Sequence, residues 1–165
     1  MRIKSVATIL SACLLIFLSA CTVPTESDSE IAKYTEIIKK DPNNAKAYHD
    51  RGKVYFKKKS YKKAVDDFKK ALGRDSEMLE ALYERACVYI ELEEWSRAMS
   101  DINRYLDDPS NERSFKALER RAYIHLRKGD YNKAIRDCNR AMKLNPAYLP
   151  AITTKGKAQK ARANQ

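Results

Sequence analysis

The sequence predicts an all-α protein built from repeated units, and two observations carry this prediction. The motif Ser60–Ala64 returns after 34 residues and again after 36, and a second motif, Arg51–Tyr55, returns at the same two intervals. Two independent motif series that share one period indicate a true internal repeat. Within each unit, small and aromatic residues recur at intervals of three and four, which places them on one stripe of a helix.

The order of residue types within each unit identifies the kind of repeat. A large residue is followed four positions later by a small one, and a small, a large and another small residue come later in the unit. This order resembles the tetratricopeptide repeat (TPR), in which an A helix and a B helix form a hairpin. In the first unit the matching residues are Tyr48, Gly52, Tyr55, Ala64, Phe68 and Ala71.

The resemblance implies a TPR-type helical-hairpin solenoid of about eight helices. One unit cannot bury its apolar stripe alone, so neighbouring units must stack. We assign the units to a half-unit over 30–44, repeats over 45–78, 79–112 and 115–148, and a capping helix over 149–163.

Several local features accompany this assignment. Ser29 is the predicted N-cap of the first helix, and Gly52 marks a point where an A helix and a B helix must approach closely. The join at 107–113 has two extra residues, which predicts a longer loop. His125 and Cys138 replace aromatic residues of the repeat pattern, and we interpret both as substitutions in the core.

The N-terminal segment differs in composition from the rest of the chain. Arg2 and Lys4 precede an apolar stretch from Val6 to Leu18, and residues 6–21 carry no charge. This arrangement is typical of an export signal peptide. Because a transmembrane helix needs about 20 apolar residues, we expect residues 1–20 to be a cleaved signal, with an uncleaved anchor as the alternative.

The segment Leu18-Ser19-Ala20-Cys21 resembles the lipobox of bacterial lipoproteins. The resemblance implies that the Cys21 thiol receives a diacylglyceryl group and that the chain is cut just before this residue. A similar segment ends at Cys13, but the apolar stretch before it is shorter than the roughly 7–15 residues of a signal peptide. We therefore predict Cys21 as the site of lipidation.

The lipid anchor sets the expected location of the protein. A polar tether over 21–29 would hold the folded part, 30–165, close to the membrane. Cleavage would leave 31 basic and 22 acidic residues, a balance that anionic headgroups attract. The resemblance implies a cell-envelope protein, at the outer membrane facing the periplasm if the host is Gram-negative, with no nucleic acid as a partner.

The resemblance also assigns a partner-binding groove, because A helices line the concave face of such a solenoid. Mixed charges with interleaved apolar residues suit a peptide or a partner helix, although charged faces of this kind are often merely solvated. The predicted groove residues are Lys46, His49, Lys53, Phe56, Tyr83, Glu84, Cys87, Ile90, Lys116, Arg120, Tyr123 and Arg127.

The predicted function is therefore a membrane-anchored adaptor or scaffold for protein or peptide partners. Similar lipoproteins assist pilus or secretion assembly or recruit cell-wall enzymes. Some TPR proteins clamp a C-terminal carboxylate, and Lys116 and Arg120 match two of the clamp residues. Lys53, His49 and Glu84 depart from the other three, which disfavours a clamp.

The competing function is a thiol-dependent or hydrolytic enzyme that uses Cys87 and His49. The two residues are expected at different heights of neighbouring A helices, which disfavours catalysis, and we predict a protein that is not an enzyme. Two histidines and the lack of a CxxC motif argue against a metal site. No cofactor is expected besides the lipid on Cys21. We expect Cys87 and Cys138 to be free thiols and the basic turn at 57–63 to be solvated.

Overall fold

The structure is a computed structural model that describes residues 25–111 and 114–164. The predicted signal peptide and Cys21 lie outside the described residues. Within these residues the chain forms eight α-helices: α1 (Glu26–Lys40), α2 (Ala45–Lys57), α3 (Tyr61–Arg74), α4 (Leu79–Glu91), α5 (Trp95–Asp107), α6 (Phe115–Arg127), α7 (Tyr131–Leu144) and α8 (Leu149–Ala163).

The helices form three hairpins that stack in sequence. Each hairpin consists of an A helix and a B helix, namely α2 with α3, α4 with α5, and α6 with α7. Helix α1 packs on α2, and α8 packs on α6 and α7. The A helices also contact one another in succession, so they share one face of the solenoid. This arrangement confirms the predicted fold class, a TPR-type solenoid of eight helices.

The core follows the apolar stripes of the repeats. Phe68, Leu82, Ile102 and Leu118 are buried almost completely between hairpins. Cys138 is fully buried at the position of Phe68 in its own unit, which confirms it as a core substitution. The thiols of Cys87 and Cys138 are free, as expected.

Gly52 lies where the first A helix touches its B helix. A Cβ atom at this position would lie 2.9 Å from the Cε1 atom of Phe68. Helices that approach this closely need a residue without a side chain at the contact, which explains a glycine inside α2 despite its low helix propensity. The predicted close approach at Gly52 is confirmed.

The three turns within the hairpins have the same backbone conformation. Lys59, Glu93 and Gly129 all have positive φ angles of 57°, 56° and 81°. In each turn the next residue donates its N–H to the carbonyl five positions back, as Ser60 does to Tyr55 at 2.8 Å. This is the helix-ending pattern in which a left-handed residue satisfies the last carbonyls.

A forked ion pair joins the two helices of every hairpin. In the second hairpin, Arg85 donates from Nε to Asp101 Oδ2 at 2.7 Å and from Nη2 to Oδ1 at 2.8 Å. The same two bonds join Arg51 to Asp67 and Arg121 to Asp137. The three aspartates are largely buried, so each guanidinium supplies hydrogen bonds that replace most of the lost contacts with water.

The start of the first helix differs from the prediction. Thr25, rather than Ser29, is the N-cap, and α1 begins at Glu26 within the predicted tether. The Thr25 hydroxyl accepts from the N–H of Asp28, and the Asp28 carboxylate accepts from the N–H of Thr25. This reciprocal pair, with two acidic residues in the first turn, stabilises a helix start that lies one turn earlier.

The connection between the second and third hairpins is longer than the others. Helix α5 ends at Asp107 and α6 begins at Phe115, so seven residues connect them. Only four residues, 75–78, connect the first hairpin to the second, and four, 145–148, connect the third hairpin to α8. The prediction of a longer loop is confirmed. Across the described residues, no helix has the length and apolar character that a membrane span requires.

The close contact at Gly52 predicts opposite effects for two alanine substitutions. Gly52→Ala should destabilise the protein by about 1–3 kcal/mol because the ring of Phe68 must move. Gly73→Ala, at a helical position where a Cβ would meet nothing within 4 Å, should stabilise it by roughly 0.5–1 kcal/mol through helix propensity and a less flexible unfolded chain. Urea unfolding followed by far-UV circular dichroism measures both changes. A neutral Gly52→Ala would show that the hairpin adapts at no cost.

Candidate functional site

Six of the predicted groove residues surround one cavity between three A helices. The cavity has a volume of about 200 Å³ and lies between α2, α4 and α6. Its walls combine apolar surface with two carboxylates and one guanidinium, because the A helices present both kinds of residue at groove positions. The lining residues are Phe56, Tyr83, Glu84, Cys87, Ile90, Glu91 and Arg120.

The predicted groove residues on α2 occupy different environments. Lys46 and Lys53 are exposed, and Lys46 Nζ lies 3.4 Å from Asp50 Oδ2. His49 turns away from solvent and packs on Phe68, with 5.8 Å between the ring centroids. Its Nδ1 atom lies 3.3 Å from Asp50 Oδ1. His49 therefore contributes to the packing of the first hairpin and does not line the cavity.

The predicted residues on α6 divide between the cavity and a second cluster. Arg120 lines the cavity, and Lys116 is exposed at the start of the helix. The Arg127 guanidinium lies 4.8 Å from the centre of the Trp95 ring and donates to the Tyr123 hydroxyl at 3.2 Å. Arg127 also pairs with Glu93 at 3.1 Å, so this cluster joins α6 to the turn before α5.

Burial controls the acid–base chemistry of the cavity. Burial raises the pKa of Cys87 to about 11, and the nearby Arg120 guanidinium offsets only part of this effect. Burial also raises the pKa of Tyr83. At neutral pH both side chains are therefore neutral, so Arg120, Glu84 and Glu91 supply the charge that a ligand would meet.

A buried hydrogen bond joins α6 to α8 beside the cavity. Glu119 is 3% exposed and accepts a hydrogen bond from the Thr154 hydroxyl of α8 at 3.0 Å. Its other carboxylate oxygen lies 3.9 Å from Arg120 Nε, and neither of these two atoms has a hydrogen-bond partner among the described residues. Through this hydrogen bond, α8 helps to fix the position of α6, which carries the cavity residue Arg120.

The geometry gives no support to catalysis by Cys87. A nucleophilic cysteine needs a lowered pKa and a base within hydrogen-bond reach. Cys87 has a raised pKa, and His49 lies in the packing of the first hairpin. Within the described residues, no group of three or more histidines, cysteines or carboxylates could hold a metal ion.

Sequence reasoning missed two features of this region: the role of Trp95 and the burial of Glu119. Trp95 lies at the first position of a B helix, so a search restricted to A-helix positions passes over it. Its signal is that it is the single tryptophan of the chain. Glu119 occupies a groove position by repeat numbering, but it is buried because α8 packs over it.

The fold is that of a tetratricopeptide-repeat solenoid, with three helical hairpins in sequence. The tetratricopeptide repeat model matches residues 45–78 and 115–148. These ranges contain the first and third hairpins. Comparison with curated proteins gives no match.

Several solved structures share this fold over most of the chain. The MamA protein is 22% identical over 84% of this chain and 74% of its own, with a TM-score of 0.77. YrrB, described as a TPR protein with an unusual peptide-binding site, is 24% identical over 98% and 79%, with a TM-score of 0.75. The first TPR domain of Spaghetti (RPAP3), bound to an HSP90 peptide, is 27% identical over 74% and 96%, with a TM-score of 0.68.

The raised pKa values of the two buried cysteines predict slow alkylation in the folded state. At pH 8, pKa values of about 11 for Cys87 and about 12 for Cys138 leave the thiolate roughly a hundredfold or more scarcer than in an unfolded chain. Peptide mapping after iodoacetamide treatment, with and without urea, measures each cysteine separately. If Cys87 were labelled equally fast with and without urea, its thiolate would be activated in the folded state, and this result would favour the enzyme hypothesis.

Proposed function

We propose that this protein is a membrane-anchored TPR adaptor that binds protein or peptide partners in its concave groove. The observation that carries this proposal is the cavity shared by α2, α4 and α6, which brings together groove residues from three different A helices. A partner that enters it contacts all three hairpins at once. The binding of an HSP90 peptide by the first TPR domain of Spaghetti (RPAP3) supports a peptide as partner, as does the peptide-binding site ascribed to YrrB.

The chemistry of the cavity suits an apolar anchor with polar flanks. Phe56 and Ile90 offer apolar surface, and Glu84, Glu91 and Arg120 surround it with charge. Desolvated apolar anchors contribute most of the affinity in such interfaces. The charges contribute specificity and orientation, since a wrongly placed like charge costs several kcal/mol.

The proposed anchor is a lipid on Cys21. It is supported by the Leu18–Cys21 lipobox and by the apolar stretch in front of it. Two or three acyl chains meet the requirement of two signals for stable attachment. The protein would then hold its partners at the cell envelope, on the periplasmic side of an outer membrane in a Gram-negative host. Pilus or secretion assembly and recruitment of cell-wall enzymes are the roles proposed for it.

The groove can be tested by placing a photo-crosslinking amino acid on each face of the solenoid. Lys53 lies on the A-helix side and Lys62 on the B-helix side, and both are exposed. In cells, the Lys53 probe should give crosslinked partners that the Lys62 probe does not. Reversing the two cavity carboxylates, with Glu84→Lys and Glu91→Lys, should lower these crosslinks by about tenfold because a partner's cations then meet like charges.

A matched control separates the groove from net charge. Glu77→Lys with Asp107→Lys changes the total charge equally, at exposed sites outside the cavity, and should leave the crosslinks unchanged. The groove hypothesis fails if the control pair reduces crosslinking as much as the cavity pair does, or if Lys62 captures the same partners as Lys53.

The anchor is tested independently of the groove. Cys21→Ser should move the protein from the membrane fraction to the soluble fraction, because no other residue would carry the acyl chains. Cys13→Ser serves as the matched control and should leave the protein in the membrane. Membrane fractionation followed by immunoblotting measures both. If Cys13→Ser alone released the protein, the lipid would be on Cys13 and our assignment to Cys21 would be wrong.

A further inference from the structure

A basic cavity lies between the second and third hairpins, and it shares no lining residue with the groove cavity. Its volume is about 500 Å³, and residues of α5, α6, α7 and the turn before α7 line it. Two carboxylates and the half-buried His125 face it. Five cations also line the cavity: Arg121, Lys128, Lys133, Arg136 and Arg140.

Both carboxylates of the cavity are already engaged. Asp137 accepts two hydrogen bonds from Arg121, at 2.7 and 2.9 Å. Asp130 lies 3.3 Å from His125 Nδ1 and 3.6 Å from Lys133 Nζ. Few carboxylates therefore remain in the cavity to pair with its other cations.

Two of the remaining cations have no acidic neighbour in the part of the chain that the structure describes. No carboxylate oxygen there lies within 4.0 Å of the side-chain nitrogens of Lys128 or Arg136. Arg140 approaches Asp137 only to 4.0 Å, and that carboxylate is shared with Arg121. The cavity therefore holds a surplus of about three positive charges at close range.

The repeat supplies an internal comparison. An equivalent cavity of about 470 Å³ lies between the first and second hairpins. Three cations and two carboxylates line it: Lys69, Arg85, Arg97, Asp66 and Asp101. By the repeat spacing, Ser100 stands there in place of Arg136, and Leu92 in place of Lys128. The cations exceed the carboxylates by one in that cavity and by three in the third-unit cavity, so the larger surplus comes from the residues of the third unit and not from the fold.

The basic surface continues beyond the cavity. Lys133 and Arg136 also line an adjoining cavity of about 310 Å³ on the side of α8, together with Arg162. Guanidinium groups bind phosphate oxygens in a forked geometry, and lysine supplies a point charge beside them. A carboxylate would satisfy one such group, whereas a phosphate with two or more charges can meet several of them.

From this geometry we propose that the cavity between α5, α6 and α7 binds a phosphate-type anion through Lys128, Lys133, Arg136 and Arg140. The anion is either a free phosphate or diphosphate, or the phosphate of an anionic lipid headgroup. The site is separate from the peptide groove and does not depend on the proposed adaptor function.

Calorimetric titration of the full chain with inorganic pyrophosphate, in a nonionic detergent, tests the site. Arg136→Ser, which introduces the residue of the second unit, should weaken binding about tenfold because it removes one charge-assisted contact. Lys143→Ser removes an exposed cation of the same helix that does not line the cavity, and should change the affinity less than twofold. The proposal is overturned if Arg136→Ser binds as the unaltered chain does, or if both variants lose affinity equally.

Lysine acetylation distinguishes the two sources of phosphate. Pyrophosphate should slow the acetylation of Lys128 and Lys133 severalfold and leave Lys143 unchanged, as measured by mass spectrometry. Vesicles of phosphatidylcholine with an equal part of phosphatidylglycerol should give the same protection if the ligand is a headgroup. Protection by pyrophosphate alone assigns the site to a free phosphate. Uniform protection of all three lysines, or protection by neither probe, overturns the proposal.

Discussion

A forked ion pair between an arginine of the A helix and an aspartate of the B helix recurs in every complete hairpin. The distance from Nε to Oδ2 is 2.7 Å in all three. Breaking a buried pair costs roughly 3–5 kcal/mol, whereas replacing both partners by apolar residues is often neutral. We infer that the pair acts mainly by selecting how the two helices rotate against each other. That rotation turns one side of each A helix toward the groove, while Arg85 and Arg121 line cavities away from it.

Much of the fold can be predicted from the sequence because the same helical pattern occurs in three successive units. The period, the helical stripes and the glycine at position 52 each predict a feature that the structure contains. What the sequence does not reveal depends on partners far along the chain or on a choice between similar local signals. Arg51 is visible as a motif residue, but its partner lies 16 residues later in another helix. Thr25 and Ser29 are both acceptable caps, and the reciprocal bond with Asp28 decides between them.

In the groove, the sequence predicts which face of a helix a residue occupies but not which side chains surround it. Repeat numbering identifies Tyr83 and Arg120 as residues of one face, since it depends only on the helical period. It does not show that His49 leaves this face to pack on Phe68, or that α8 covers Glu119 and gives it Thr154 as a hydrogen-bond partner. Those outcomes are set by neighbours in space. A list of groove residues made from the period therefore includes some residues that belong to the packing of the solenoid.

Charge is distributed along the solenoid in blocks, and this distribution constrains both faces. Residues 45–74 hold eleven basic and three acidic side chains, residues 75–111 hold three and ten, and residues 114–164 hold thirteen and three. A partner that lies along the groove must cross from positive to negative to positive surface, so only one register matches its own charges well. On the B-helix side, the last block supplies the cations of the basic cavity. The acidic block of the second unit separates this cavity from the basic residues of the first unit.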